Sequence, residues 1–301
     1  MGSAKRFRFG PAAHAMLPHV STFPLPTVFG PRSVADWLTE RAGSAAEEGL
    51  VFLVRSGTRL EPAGIVLLAA EIARRTEDGL STSLEFEPGS EPALRELADL
   101  RFFQELGLAE PASPATPERC VPLRRISDLG IARSLADRTR DLLEREQPDL
   151  PPSPVRAAQF VFEELGANIV QHSLRTSTGF GLARADRDRG RLQVAFADAG
   201  IGYWRSLASN PEFESRIESH AAAIRLALHR RVTRGGRGNM GLGLHLFAEL
   251  AERLRGDTWI ASGDALIERS FADPAGAVER GLPIAGWSGA WICLDVPLSE
   301  S

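Results

Sequence analysis

Short apolar runs and helical patterns alternate through the first third of the chain. Residues 50–54 read Leu-Val-Phe-Leu-Val, a continuous apolar run that is typical of a buried strand. Helical spacing and strand alternation then predict a helix, a strand and a second helix, at 65–75, 80–86 and 91–106. Residues 1–32, rich in Pro, Gly and His, predict irregular structure. This order of elements predicts a small α/β domain over residues 1–110.

A proline-rich stretch separates this region from the rest. Residues 111–124 hold four prolines and predict a linker between two domains. Beyond it, apolar periodicity predicts two long helices, over 127–146 and 155–173, the first capped by Ser127. Strand patterns follow at 179–185, 192–198, 259–261 and 290–297, with a helix over 242–255. Helices that gather with hairpin-connected strands predict an α+β domain over residues 125–301.

Composition and charge narrow the class of protein. A hydrophobic fraction of 43% and a charged fraction of 25% are those of an ordinary globular protein. The formal net charge of −4 gives no indication of a nucleic-acid partner or of an acidic membrane surface. No stretch approaches the roughly 20 apolar residues of a membrane span. The two cysteines match no metal-ligand spacing, so we expect a protein of the reducing cytoplasm.

The second long helix carries a polar stripe. Glu164, Asn168 and His172 stand four residues apart and therefore project from one face of the helix. An amide oxygen can ligate a hard cation, and a carboxylate one turn earlier can accept a proton. The alternative is that the stripe is only a solvated helix face.

Two glycine motifs follow in the sequence. Asp198-Ala-Gly200-Ile-Gly202 comes directly after an apolar strand, and glycines there allow close approach of the backbone to a flat ligand. The Asp198 carboxylate can accept a hydrogen bond from an exocyclic amine, although the motif could also be a simple turn. The second motif, around Gly238-Asn-Met-Gly241-Leu-Gly243-Leu244, opens a helix whose free N–H groups can bind phosphate oxygens.

This second motif contains a literal G-x-G-x-x-G pattern, from Gly236 to Gly241. A dinucleotide-binding fold requires a strand immediately before that pattern, whereas a basic, helical stretch precedes it here. No Walker A motif occurs. A dinucleotide-dependent oxidoreductase is therefore the weaker alternative, and a P-loop enzyme is disfavoured.

In this order and at this separation, the three motifs resemble those of the ATP-binding domain shared by DNA gyrase, heat-shock chaperones, histidine kinases and mismatch-repair ATPases, the GHKL superfamily. The segment from Glu164 to His172 looks like its N box, and the two glycine motifs look like its glycine boxes. The resemblance covers residues 125–301. It implies a two-layer α/β sandwich, the Bergerat fold, with ATP and Mg²⁺ as ligands.

The resemblance also assigns roles to individual residues. It implies that Asn168 coordinates Mg²⁺ and that Asp198 binds the adenine amine. Gly202 would line the base pocket, Gly200 would be a further cofactor-binding residue, and residues 203–240 would form a lid. The groups expected at the phosphates are those of Gly238, Gly241, Leu242, Gly243 and Leu244.

Glu164 occupies the general-base position of the hydrolytic and serine-kinase branches of that superfamily. The Glu-x-x-x-Asn-x-x-x-His form looks most like the anti-sigma-factor serine kinases of bacterial signalling. One departure is Gly289-Ala290, where the superfamily often has Gly-Thr, so a hydroxyl near the base is missing.

Residues 50–108 resemble, more weakly, a STAS domain, the fold of the antagonists that such kinases phosphorylate. The acceptor loop reads Glu61-Pro62-Ala63-Gly64 in place of Asp-Ser-Ser-Gly, which implies a docking or regulatory module without an acceptor hydroxyl. An unrelated α/β domain is the alternative.

Three functions follow as expectations: a serine/threonine protein kinase acting on a regulatory protein partner, an ATPase, or a non-catalytic nucleotide sensor. A homodimer is a further expectation from this resemblance.

Overall fold

Two main β-sheets organise the chain in a computed structural model. The structure describes residues 5–10, 20–43, 49–109, 118–229, 232, 243–272 and 276–298. Within these ranges, helices combine with one sheet of four strands and one of five, and both parallel and antiparallel pairs occur. The α+β class predicted from the sequence is confirmed. Among the described helices, none has the length and apolar character needed to cross a membrane.

The N-terminal unit is built around the four-stranded sheet. The unit as a whole has six strands within the described residues: β1 (Lys5–Phe9), β2 (Val20–Pro24), β3 (Val28–Phe29), β4 (Gly49–Val54), β5 (Arg59–Leu60) and β6 (Ser81–Phe86). Its helices are α1 (Val34–Ala42), α2 (Pro62–Glu77), α3 (Glu91–Asp99) and α4 (Phe102–Glu105). The sheet order is β1-β6-β4-β2, with β1 antiparallel to β6, while β3 and β5 form a separate parallel pair.

The prediction of irregular structure for residues 1–32 is wrong for β1, β2 and β3. These strands are short, and each pairs with a strand from later in the chain: β1 with β6, β2 with β4 and β3 with β5. The alternation Arg6-Phe7-Arg8-Phe9 was an available signal for β1, whereas β2 and β3 carry no clear alternation and are ordered by backbone hydrogen bonds to distant partners.

The C-terminal unit is built around the five-stranded sheet. Its strands are β7 (Cys120–Arg125), β8 (Phe180–Asp186), β9 (Arg191–Asp198), β10 (Asp257–Ser270) and β11 (Val278–Pro297). Its helices are α5 (Leu129–Glu146), α6 (Pro152–His172), α7 (Gly202–Ala208), α8 (Pro211–Glu214), α9 (His220–Ala227) and α10 (Gly243–Arg253). The order is β10-β11-β9-β8-β7, and neighbouring strands are antiparallel throughout.

The structure corrects two local predictions in this unit. The last residues of the segment predicted as a linker, 111–124, form the edge strand β7, because Cys120–Arg125 pairs with β8. Residues 110–117 lie outside the described ranges. Asp128, not Ser127, caps α5, since its Oδ1 accepts a hydrogen bond of 2.9 Å from the Ile131 N–H.

The five-stranded sheet is covered on both faces. Because side chains alternate along a strand, Val194 and Phe196 of β9 pack with the helices α5, α6 and α10, whereas Ala195 and Ala197 pack with the N-terminal unit. Helix α2 lies between the two sheets and is buried almost all round, as its apolar sequence requires. The two units therefore share one apolar core.

Candidate functional site

A pocket opens where helices α6, α7 and α10 meet the end of strand β9 and the adjacent part of β11. Six of the residues predicted for a nucleotide site line it: Glu164, Asn168, Asp198, Gly202, Gly243 and Leu244. The sequence separates the first and last of these by 80 positions, so the fold brings three distant motifs to one place. Three other predicted residues, Gly238, Gly241 and Leu242, lie outside the described residues.

The polar stripe of α6 faces this pocket. Glu164, Asn168 and His172 all line it, while Ala158, Val161 and Phe162 of the same helix are buried in the core. Burial raises the pKa of the Glu164 carboxyl, and the neighbouring Glu163 carboxylate raises it further. A carboxyl with a raised pKa is a better proton acceptor once it is ionised.

Asp198 forms the opposite wall of the pocket. It ends strand β9, is only 6% exposed, and accepts a hydrogen bond of 2.8 Å from the Gly200 N–H. Burial raises the pKa of Asp198 to about 7, although hydrogen bonds from the Gly200 and Ala290 N–H groups oppose the shift. In the described part of the chain, no Lys, Arg or His forms an ion pair with this carboxylate.

A buried carboxylate without a cation is costly to keep ionised, and a donor supplied by a ligand offsets that cost. The geometry at Asp198 is therefore that of an acceptor open to a ligand.

Different structural constraints explain the glycines at the two positions after Asp198, Gly200 and Gly202. A Cβ at Gly200 would lie 2.1 Å from the backbone oxygen of Ser173, so this glycine permits the loop to pack against the end of α6. Gly202 has a φ of +70°, and a Cβ there would lie 2.6 Å from Ser262 Oγ and 2.9 Å from the Gly289 oxygen. Gly200 was predicted to bind the ligand, but only Gly202 of the two lines the pocket.

The start of helix α10 closes the pocket beside Glu164. A Cβ at Gly243 would lie 2.9 Å from the Glu164 Cβ, so the glycine allows α10 to begin directly against α6. The first N–H groups of an α-helix have no partner within the helix and carry partial positive charge. Such groups at a pocket wall are suited to bind an anion.

Sequence reasoning missed the contribution of helix α7. Tyr203, Ser206 and Leu207 line the pocket from this helix, at the spacing i, i+3, i+4 that places them on one face. The position of Tyr203 directly after Gly202 was the available signal. Ala290 also lines the pocket, where its N–H bonds to Asp198 and its methyl group offers no polar contact.

Metal ligands do not cluster in the part of the chain that the structure describes: no group of three or more His, Cys, Asp or Glu side chains could hold an ion. A cation at this pocket would therefore draw on Asn168 and on oxygens of a bound ligand. Comparison with known proteins adds no family, since no family model and no curated protein matches the chain.

Proposed function

We propose that this pocket binds ATP with Mg²⁺ and that the chain is a phosphotransferase or ATPase of the GHKL type, most similar to the anti-sigma-factor serine kinases. One observation carries the proposal. Asp198, a buried carboxylate that no described Lys, Arg or His pairs with, faces the same pocket as Glu164, Asn168 and the start of helix α10. Three motifs that were predicted separately thus meet at one cavity.

The base of the nucleotide belongs at the Asp198 end. Phe196, Leu207 and Ile292 supply apolar surface there, suited to a flat ring. The ionised Asp198 carboxylate would accept a hydrogen bond from the adenine amine. Such a bond would also offset the cost of the buried charge.

The phosphates belong at the start of α10. Gly243 and Leu244 line the pocket there, and the N–H groups of a helix N-terminus stabilise phosphate oxygens. Asn168 is suited to hold Mg²⁺ through its amide oxygen, because hard cations prefer oxygen ligands. The bound ion would offset negative charge on the phosphates during transfer.

Glu164 is the residue we expect to act in the chemistry. It lies one helical turn from Asn168 and lines the pocket beside the start of α10. Its carboxylate would orient the attacking oxygen, from water or from a protein hydroxyl, and accept its proton.

The fold class supports the same proposal. An antiparallel five-stranded sheet with α5, α6 and α10 packed on one face is compatible with the two-layer sandwich implied by the resemblance. For the N-terminal unit we propose a STAS-like docking module. The positions of the acceptor serines are occupied by Pro62 and Ala63, both buried at the start of α2, so this loop offers no hydroxyl for phosphorylation.

Isothermal titration with ATP, followed by incubation with γ-labelled ATP, tests the proposal. We expect Mg²⁺-dependent binding in the wild type. Glu164→Gln should bind ATP as well as the wild type but lose about 10²–10⁴-fold in turnover, the usual contribution of a general base. Glu252→Gln is the control, because that carboxylate is exposed on α10 and does not line the pocket.

Each outcome of this experiment is informative. A wild type that binds no ATP would overturn the proposal. Equal turnover in the wild type and Glu164→Gln would remove Glu164 from the chemistry. Tight binding without turnover, in the presence of candidate protein substrates, would make the chain a nucleotide sensor.

A further inference from the structure

Tyr203, the single tyrosine of the chain, lies beside Asp198 at the end of the pocket assigned to the base. Its backbone is held in place, since the Tyr203 N–H donates to Ser262 Oγ at 3.1 Å and this hydroxyl donates to the Gly289 oxygen at 2.7 Å. The phenol hydroxyl, in contrast, makes no hydrogen bond to any residue that the structure describes. A polar group on a pocket wall without a protein partner is free to bind a ligand.

The phenol is a hydrogen-bond donor at neutral pH. Burial raises the pKa of Tyr203 well above its ordinary value, and the nearby Asp198 charge raises it further. Tyr203 therefore keeps its proton under conditions in which Asp198 is ionised. The pocket thus presents a carboxylate acceptor and a hydroxyl donor side by side.

A carboxylate alone does not select a purine. It can accept a hydrogen bond from the exocyclic amine of adenine, or from the ring N–H and amine of guanine. A donor next to the carboxylate removes this ambiguity. Adenine has a ring acceptor, N1, beside its amine, whereas guanine has its O6 acceptor beside a ring N–H, the inverse pattern.

We propose that the Tyr203 hydroxyl donates a hydrogen bond to N1 of the adenine whose amine is held by Asp198, and that Tyr203 thereby selects ATP over GTP. The inference rests on the proposed function. Ala290 contributes only a methyl group, because its N–H is already bonded to Asp198. Ser206 has the other hydroxyl on helix α7 that lines the pocket, one turn further along, and it serves as a control.

The test compares ATP with 1-deaza-ATP, in which carbon replaces N1, by isothermal titration of the full chain. The wild type should bind ATP about 5–20-fold more tightly than the analogue, the effect of leaving one buried donor without a partner. Tyr203→Phe should bind the two nucleotides with equal affinity and should lose most of the preference for ATP over GTP. Ser206→Ala should keep the wild-type ratios.

Melting of the ligand-free variants shows whether Tyr203→Phe remains folded, as expected for the loss of one oxygen atom. Equal ATP to 1-deaza-ATP ratios in the wild type and Tyr203→Phe would overturn this inference and leave the proposed function standing. A wild type that binds neither nucleotide would overturn both.

Discussion

The two faces of the five-stranded sheet differ in what they leave open. On the face of α5, α6 and α10, the packing leaves a pocket with the buried carboxylate of Asp198 on its wall. On the face of the N-terminal unit, large aromatic side chains fill the space between the sheet and helices α1 and α2. Trp291 of β11 is 0% exposed there, and its Nε1–H donates to the Ala63 oxygen at 2.9 Å.

The buried carboxylates on the two faces of the five-stranded sheet also differ in their hydrogen-bond partners. At the rim of the N-terminal face, Asp295 is 8% exposed, and its carboxylate accepts hydrogen bonds from Arg191 at 2.7 Å and from Gln193 at 3.1 Å. Among the described residues, Asp198, which is 6% exposed, has only backbone donors. Asp295 is therefore balanced by side chains of the protein, whereas Asp198 faces an open pocket. The contrast indicates that one face of the sheet joins the two units and the other leaves a pocket open.

The largest effect is expected from removing Trp291. In the sheet it lies opposite Ala197 on one neighbouring strand and Ala261 on the other, so no large neighbour can fill the space left by its ring. Trp291→Ala should lower the free energy of unfolding by about 3–5 kcal/mol, measured by chemical denaturation. Phe160→Ala, at a position 36% exposed on α6, should cost less than about 1 kcal/mol. Equal losses would mean that the N-terminal face is not the tighter contact.

The second-largest effect is a dependence of protein stability on pH that arises from Asp198. Its folded pKa of about 7 lies above the ordinary value of 3.8, so the folded protein takes up a proton that the unfolded chain has lost. Wild-type stability should therefore fall, relative to Asp198→Asn, as pH rises from about 4 to about 7, and then level off. The shift corresponds to at most about 4 kcal/mol.

Thermal melting of both proteins across this range measures the difference. Glu252→Gln, at an exposed carboxylate of α10 that forms no ion pair with any described residue, is the control and should follow the wild type. Parallel curves for the wild type and Asp198→Asn would show that Asp198 is compensated within the protein, and the contrast between the two faces would be lost.

The smallest effect is expected at Asp295. Arg191→Met would leave this buried carboxylate with the amide of Gln193 but without its cation. Because Arg191 is itself 29% exposed and solvent screens the pair, the loss should be only about 1–2 kcal/mol near pH 8. Burial already raises the pKa of Asp295, and removing Arg191 raises it further, so the loss should shrink toward about pH 5 as Asp295 takes up a proton.

Denaturation of this variant at the two pH values checks the prediction. Arg133→Met, which removes a 68% exposed partner of Glu163, should change nothing measurable. A loss that does not depend on pH would show that Arg191 stabilises the protein through packing or its bond to the Asp295 backbone oxygen, and not through the Asp295 carboxylate.

The features that the sequence alone determined are local ones. The spacing of Glu164, Asn168 and His172 places them on one face of a helix wherever that helix lies. The apolar strand before Asp198 predicts a carboxylate at a strand end, and the structure places it there. The main helices and the β8–β9 hairpin follow from apolar periodicity, which reports whether a segment has one buried face.

Only the tertiary structure decided which faces meet. Helix α7 brings Tyr203 and Ser206 to the pocket, and the end of α6 occupies the space that Gly200 leaves free. Strand β2, whose residues do not alternate, exists because β4 supplies its hydrogen-bond partners. The closed face of the five-stranded sheet results from contact of β9 and β11 with helix α2, which lies more than a hundred residues earlier in the sequence. Each of these depends on packing between distant segments, whereas periodicity describes only the residues within one segment.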